Sequence, residues 1–191
     1  MKELKGKAVY LRELKEEDMK GLHQALSNDE IRYMTGTRNS FTMEQMKNYF
    51  KRISEDQTRY NFSIRLLETD ELIGDLAIMD IDEDNKKAGF RIALHQTSLL
   101  NKGYGTDALN QALKFAFEVL KLNRLQLEVF SHNIRGIKSY EKAGFQVEGV
   151  LRESLYYEGA FSDEIIMSML QKDYFERKSE ALREENYAME K

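Results

Sequence analysis

Three strand-like stretches follow one another with only short polar links between them: RYNFSIRLL (59–67), LIGDLAIMDI (72–81) and KAGFRIAL (87–94). Their β-branched and aromatic residues favour extended backbone, and the links TDE (69–71) and DEDNK (82–86) are turn-like, which predicts an antiparallel meander. After residue 94 the order changes. A glycine-led stretch places Leu109, Ala112, Leu113, Ala116, Phe117 and Leu120 on one helical face. RLQLEVF (124–130) then reads as a strand, NIRGIKSYEKAG as a short helix opened by Asn133 and stopped by Gly144, and FQVEGVLRES and DEIIMSML as two further strands.

Ahead of the meander, KAVYLREL (7–14) alternates as a strand does. EEDMKGLHQALS carries Met19, Leu22 and Leu26 at helical spacing, with acids in its first turn. NDEIRYMTGTRNS is expected as a loop leading to a second helix, capped by Ser40 or Thr42 with Met43, Met46 and Phe50 inward. The sum is a mixed α+β fold, with a meander in the first half and a crossover helix in the second.

A chain of 191 residues with 41% apolar and 32% charged residues fits one soluble domain. The domain is expected over residues 1–172, and KDYFERKSEALREENYAMEK continues into a charged C-terminal tail over 173–191, helical or frayed. Cysteine is absent, which removes disulfides and thiolate metal sites and fits a reducing, cytoplasmic setting. No stretch approaches the roughly 18 apolar residues of a membrane span, and the first residues lack a signal-peptide run. Net charge is −4 without a basic stripe, so no nucleic acid is expected as partner. The histidines, His23, His95 and His132, are not spaced as paired ligands, and no metal is expected.

GYGTDA (103–108) opens the crossover helix. Taken alone it matches a dinucleotide-binding glycine pattern, but HQTSLLNK (95–102) separates it from the preceding strand, where that pattern follows the strand almost directly. A phosphate-binding loop of the other common kind would need Lys then Ser or Thr after the second glycine, and has neither. What remains is physical. Amides from Asn101 to Thr106 lack intrahelical acceptors at the positive end of a helix dipole. Glycine at 103 and 105 removes Cβ atoms that would hold a ligand away, and Lys102 adds charge.

Further on, SHNIRGIKSYEKAGFQVEGVLRE sets an asparagine at a strand end and a tyrosine seven residues later, followed by KAGF. The glycine turn, the strand, Asn133, Tyr140 and EKAGF together resemble the GNAT superfamily of N-acetyltransferases. More narrowly they are similar to the branch of ribosomal-protein N-terminal acetyltransferases and bacterial spermidine acetyltransferases. The resemblance runs over about residues 7–172, and EGVLRESLYYEGAFSDEIIMSML is typical of that branch. It implies the acyl-CoA N-acyltransferase fold: a mixed, mostly antiparallel sheet, flanked by helices, whose fourth and fifth expected strands, FRIAL and LQLEVF, splay.

The same resemblance implies acetyl-CoA as cosubstrate and a primary amine as acceptor. Asn101, Lys102, Gly103, Tyr104, Gly105 and Thr106 would cradle the pyrophosphate, with Leu100 also in the cofactor site. Ile92 and Leu94 would pair with the pantetheine arm, Asn133 would bond it, and Tyr140 would face the sulfur as general acid. A tyrosine, of reference pKa about 10, can protonate a departing thiolate. An alkylammonium is neutral in only about one molecule per thousand at pH 7, so a base or a water relay is required. Relatives often carry a glutamate where this chain has Gly89; Glu128 is the alternative base, or a solvated strand residue. Tyr33, Arg38 and Tyr156 are expected near the acceptor, with Arg38 a candidate contact for an acceptor carboxylate or phosphate. The first loop lacks the acid cluster that suits a polyamine. An acyl-CoA-binding sensor of the same fold is the alternative, favoured by Gly89 and opposed by Tyr140. Members of this family often dimerise, so a homodimer is the expected assembly.

Overall fold

The computed structural model describes residues 2–189. In chain order it contains β1 (Leu4–Lys5), β2 (Val9–Glu13), α1 (Met19–Ala25), α2 (Asp29–Thr35), α3 (Met43–Glu55), β3 (Tyr60–Leu66), β4 (Leu72–Asp82) and β5 (Lys87–Leu94). The second half contributes α4 (Tyr104–Lys114), β6 (Arg124–Phe130), α5 (Ile134–Ala143), β7 (Gln146–Tyr157), β8 (Ala160–Leu170) and α6 (Gln171–Met189). The eight strands form one sheet in the order β1-β2-β3-β4-β5-β6-β8-β7. The meander is present as β3-β4-β5, antiparallel throughout. Only β5 and β6 run parallel, the two strands that the α4 crossover joins.

The expected loop after α1 is a correction: it holds a helix. Asn28 caps α2 by accepting from the Ile31 amide at 3.1 Å, Asp29 and Glu30 occupy the first turn, and Gly36 ends it in the left-handed region at φ 65°. These are ordinary start and stop signals, obscured because the seven residues between them carry no buried position. Of the two caps proposed for the next helix, Thr42 is the one used, in a reciprocal capping box with Gln45. The crossover helix also changes form. It is α-helical to Lys114, then widens into a π-turn over 115–119.

One apolar face of the sheet packs on α4 through Leu109, Ala112 and Leu113, each 3% exposed or less. Burial of a leucine on that scale contributes about 2 kcal/mol. A smaller cluster of Leu14, Met19, Leu22, Met46 and Ile53 lies beneath α1 and α3. The first turn of α4 is tied to the chain ahead of β2 by one carboxylate. Asp107 Oδ2 accepts from the amides of Lys7, Ala8 and Val9 at 2.8, 2.7 and 3.0 Å. At the far end, Tyr174 stacks on Phe117, and Tyr174 and Lys178 both bond Glu118. The first turns of α6 are thereby docked on the π-turn, whereas residues 179–184 are exposed.

Candidate active site

β5 and β6 pair only from Lys87–Arg124 to Gly89–Gln126. Beyond that point β5 stays on β4 and β6 stays on β8, so the two strands part. The opening between them leads to two cavities, of about 740 Å³ on the α4–α5 side and about 760 Å³ on the α1–α3 side. Ile92, Ala93, Asn133 and Tyr140 line both.

The α4–α5 cavity gathers most of the residues expected at a pyrophosphate and its arm. Ile92, Leu94, Leu100, Asn101, Gly103, Tyr104, Gly105, Thr106 and Asn133 line it; Lys102 does not. Gly103 caps α4 in the left-handed region at φ 82°, with nothing within 4 Å of where its Cβ would stand. The first intrahelical bond runs from the Asp107 amide to the Gly103 carbonyl, and no side chain caps the helix. The amides of Tyr104, Gly105 and Thr106 are therefore left to a ligand or to water. A Cβ on Gly105 would stand 3.7 Å from Leu94, an ordinary contact, so the protein itself has no need of glycine there. A cradle that is open in its own fold and donates only N–H groups suits a pyrophosphate. Arg135, Lys138 and Lys142 of α5 line the same cavity. Sequence reasoning passed over them, although spacings of three and four put them on one helical face.

Asn133 has two roles available. Its Oδ1 accepts from the Gly136 amide at 2.9 Å and starts α5, which leaves its amide N–H₂ to face the cavities. Gly136 makes room for that cap, because a Cβ there would lie 2.9 Å from the Asn133 side chain. Tyr140 lies nearly two turns along α5 from Asn133, edge-on to Phe145 at 5.9 Å, and its hydroxyl has no hydrogen bond among the described residues. Burial pushes its pKa up to about 12. It is thus protonated across the whole working range of an enzyme.

Glu128 lines the α1–α3 cavity on the exposed face of β6 and makes no ion pair among the described residues. Gly89 lies at the last paired position before the strands part, its missing side chain facing Met79 and Asp80. Three residues expected near the acceptor are placed otherwise. Tyr33 stacks on His132 with centroids 4.0 Å apart, and Arg38 donates to the Tyr156 carbonyl beside the turn of the β7–β8 hairpin. Neither they nor Tyr156 line either of these two cavities. An aromatic residue in a polar loop reads the same from sequence whether it lines a cleft or stacks beside it.

Apart from Glu128, the charged groups of the α1–α3 cavity were missed instead. Asp75, only 5% exposed, is diagonal to Arg91 and His95 across the β4–β5 register. Arg91 Nη2 meets its Oδ2 at 2.7 Å and His95 Nε2 donates to its Oδ1 at 3.0 Å. Burial alone would raise the Asp75 carboxyl, but Arg91 and then His95 more than offset it and hold the pKa at about 2. One acid and one base inside adjacent apolar runs, LIGDLAIMD and GFRIAL, was the available signal. Arg52 of α3 also lines the cavity, its guanidinium 5.6 Å from the ring centre of Tyr49. Among the described residues no cluster of three or more His, Asp or Glu is placed to hold a metal ion, and no helix is long and apolar enough to cross a membrane.

A family model described as an acetyltransferase (GNAT) domain matches residues 8–146. The chain is 30% identical over 181 residues to the probable N-acetyltransferase YjcK of Bacillus subtilis, across 89% of this chain and 98% of that one. It is 31% identical over 169 residues to the spermidine N(1)-acetyltransferase of Escherichia coli, across 87% and 88% of the two chains. Among solved structures, the dodecameric spermidine N-acetyltransferase of Vibrio cholerae aligns with a TM-score of 0.77 at 25% identity, across 89% of this chain and 98% of that one.

Proposed function

The chain belongs to the GNAT acetyltransferase family, and from that premise we propose how its two cavities divide an acetyl-CoA-dependent N-acetylation. The α4–α5 cavity holds acetyl-CoA, and the α1–α3 cavity presents a primary amine. The observation that carries this reading is the position of Tyr140, half-buried, uncharged and on the wall common to both.

Acetyl-CoA supplies the thioester carbonyl that the amine attacks. The amides of Gly103 to Thr106, with Arg135, Lys138 and Lys142 nearby, hold its phosphates. Backbone groups of Ile92 and Leu94 line the arm, and an N–H near Leu94 is the donor for the developing oxyanion. The Asn133 amide fixes the arm beside Tyr140. The Tyr140 hydroxyl then gives its proton to the departing sulfur. A donor of pKa about 12 matches a sulfur that is itself desolvated, since the same dry surroundings make a thiolate more basic. Glu128, exposed on the acceptor side, takes the ammonium proton directly or through water.

The acceptor is a primary amine on a largely apolar body. Leu26, Met34, Phe41 and Phe130 form much of the cavity wall. A polyamine is the second reading, favoured by similarity to the spermidine enzyme and opposed by a cavity in which Arg91 balances Asp75 and Arg52 offsets Glu128, leaving no net negative charge. A homo-oligomer is also proposed. The outermost strand β7 and its partner β8 expose Val147, Val150, Leu151 and Phe161, a face suited to a second copy. With no cysteine in the chain, the proposed setting is the cytoplasm.

The test is acetyl-CoA-dependent thiol release against peptides, polyamines, amino acids and amino sugars. One amine well above hydrolysis supports the reading; a flat panel with measurable acetyl-CoA binding contradicts it and favours an acyl-CoA-binding sensor.

A further inference from the structure

The acceptor cavity is electrically two-ended. Asp75 is committed to Arg91 and His95, and its charge is balanced by the Arg91 guanidinium at 2.7 Å. Arg52, by contrast, meets no carboxylate among the described residues; its one recorded partner is the Tyr49 ring. Tyr49 interacts with both guanidinium groups, its ring with Arg52 and its hydroxyl with Arg91. The α3 side of the cavity therefore carries two guanidiniums and one carboxylate, an excess of one positive charge. On the β6 side Glu128 stands without an ionic partner, an excess of one negative charge.

Each simple class of amine leaves one end unanswered. A polyamine would bring two or more positive charges towards Arg52 and Arg91. A plain alkyl or aryl amine would satisfy Glu128 and leave the guanidinium end facing apolar carbon, an unfavourable environment for a charge. A molecule with an ammonium at one end and a carboxylate at the other answers both. Arg91 has unused donors for it, because a guanidinium carries five N–H groups and the contacts with Asp75 and Tyr49 do not exhaust them. Arg91 also springs from the residue before Ile92, which lines both cavities. The anion is thus bound within a side chain's length of the point of transfer.

We propose, resting on the acetyltransferase reading above, that the acceptor is a carboxylate-bearing primary amine with an apolar side chain, of the class of the apolar α-amino acids, its carboxylate held by Arg52 and Arg91. Asp75 and His95 are positioning residues: they fix the Arg91 guanidinium and touch no acceptor atom.

The experiment compares kcat/KM by thiol release for leucine, methionine and phenylalanine with their amides, their decarboxylated amines, their aminophosphonates, a peptide with the same first residue, and spermidine. The free amino acids are expected to lead their amides and amines by about tenfold or more, chiefly through KM, the worth of a charge-assisted contact. In R52A the acid-to-amide ratio falls to about one, and R52K recovers part of it. A wild-type ratio near one, or a ratio unchanged in R52A, overturns the proposal while leaving acetyl transfer intact. So does a lead for spermidine, for the peptide, or for the aminophosphonate. No turnover of any amine, with acetyl-CoA binding retained, overturns the transfer reading and this proposal together.

Discussion

Replacing Asp75 by asparagine removes one charge from the buried core of the acceptor cavity and almost nothing from its volume. The carboxyl titrates at about 2 in the folded chain against a reference of 3.8. A displacement of that size is worth about 2 kcal/mol. Because the folded value is the lower one, the contribution is complete above about pH 4 and is lost as pH falls towards 2. At pH 7 the substitution also leaves Arg91 without its anion. Breaking a fully buried pair costs about 3–5 kcal/mol, but the Arg91 side chain is 35% exposed and can rehydrate, so the expected loss is about 2–3 kcal/mol. Urea unfolding at pH 7 reads this as a fall in midpoint at constant slope. Adding R91M to D75N removes the stranded charge, so the double variant should be about 1 kcal/mol more stable than D75N alone. A D75N loss under about 0.5 kcal/mol, or a double variant as unstable as the sum of the singles, would refute the argument that Asp75 is there to hold Arg91.

Gly105→Ala separates cofactor binding from folding: the added methyl meets Leu94 at an ordinary distance, so stability should hold within about 0.5 kcal/mol while calorimetric affinity for acetyl-CoA drops about tenfold or more. Asp107→Ala strands three backbone amides and should lower unfolding free energy by about 2–3 kcal/mol, read by urea titration. Truncation after Lys178 keeps the Tyr174 and Lys178 contacts with Glu118 and should change stability by less than about 1 kcal/mol. The same truncation should leave the solution mass per assembly unchanged if β7 and β8, rather than the tail, join copies.

The fold was legible because its signals are local and repeated. Three alternating stretches with polar turns specify β3-β4-β5, and five inward positions from Leu109 to Phe117 specify the crossover helix. α2 was not legible as a helix, since its seven residues bury nothing and show no periodic face. The phosphate cradle was readable because it is a short contiguous segment whose function depends on backbone. The acceptor cavity was not, because its charged groups come from four elements. Asp75 and Arg91 lie on adjacent strands and meet through a register that no single stretch encodes, while Arg52 arrives from α3. Tyr33 and Arg38 show the converse. Expected near the acceptor, they stack on His132 and bond the Tyr156 carbonyl outside the two cavities.

The most direct measurement on the account as a whole is single-turnover thiol release by Tyr140→Phe beside wild type, with acetyl-CoA affinity measured in parallel. The substitution removes only the hydroxyl, which bonds nothing else among the described residues, so folding and acetyl-CoA binding should be preserved. The predicted result is a fall of about 10²–10⁴ in the rate of transfer with dissociation constant unchanged. Full turnover by the variant with every accepted amine would contradict the assignment of Tyr140 as the proton donor, and with it the reading of the shared wall as the point of transfer.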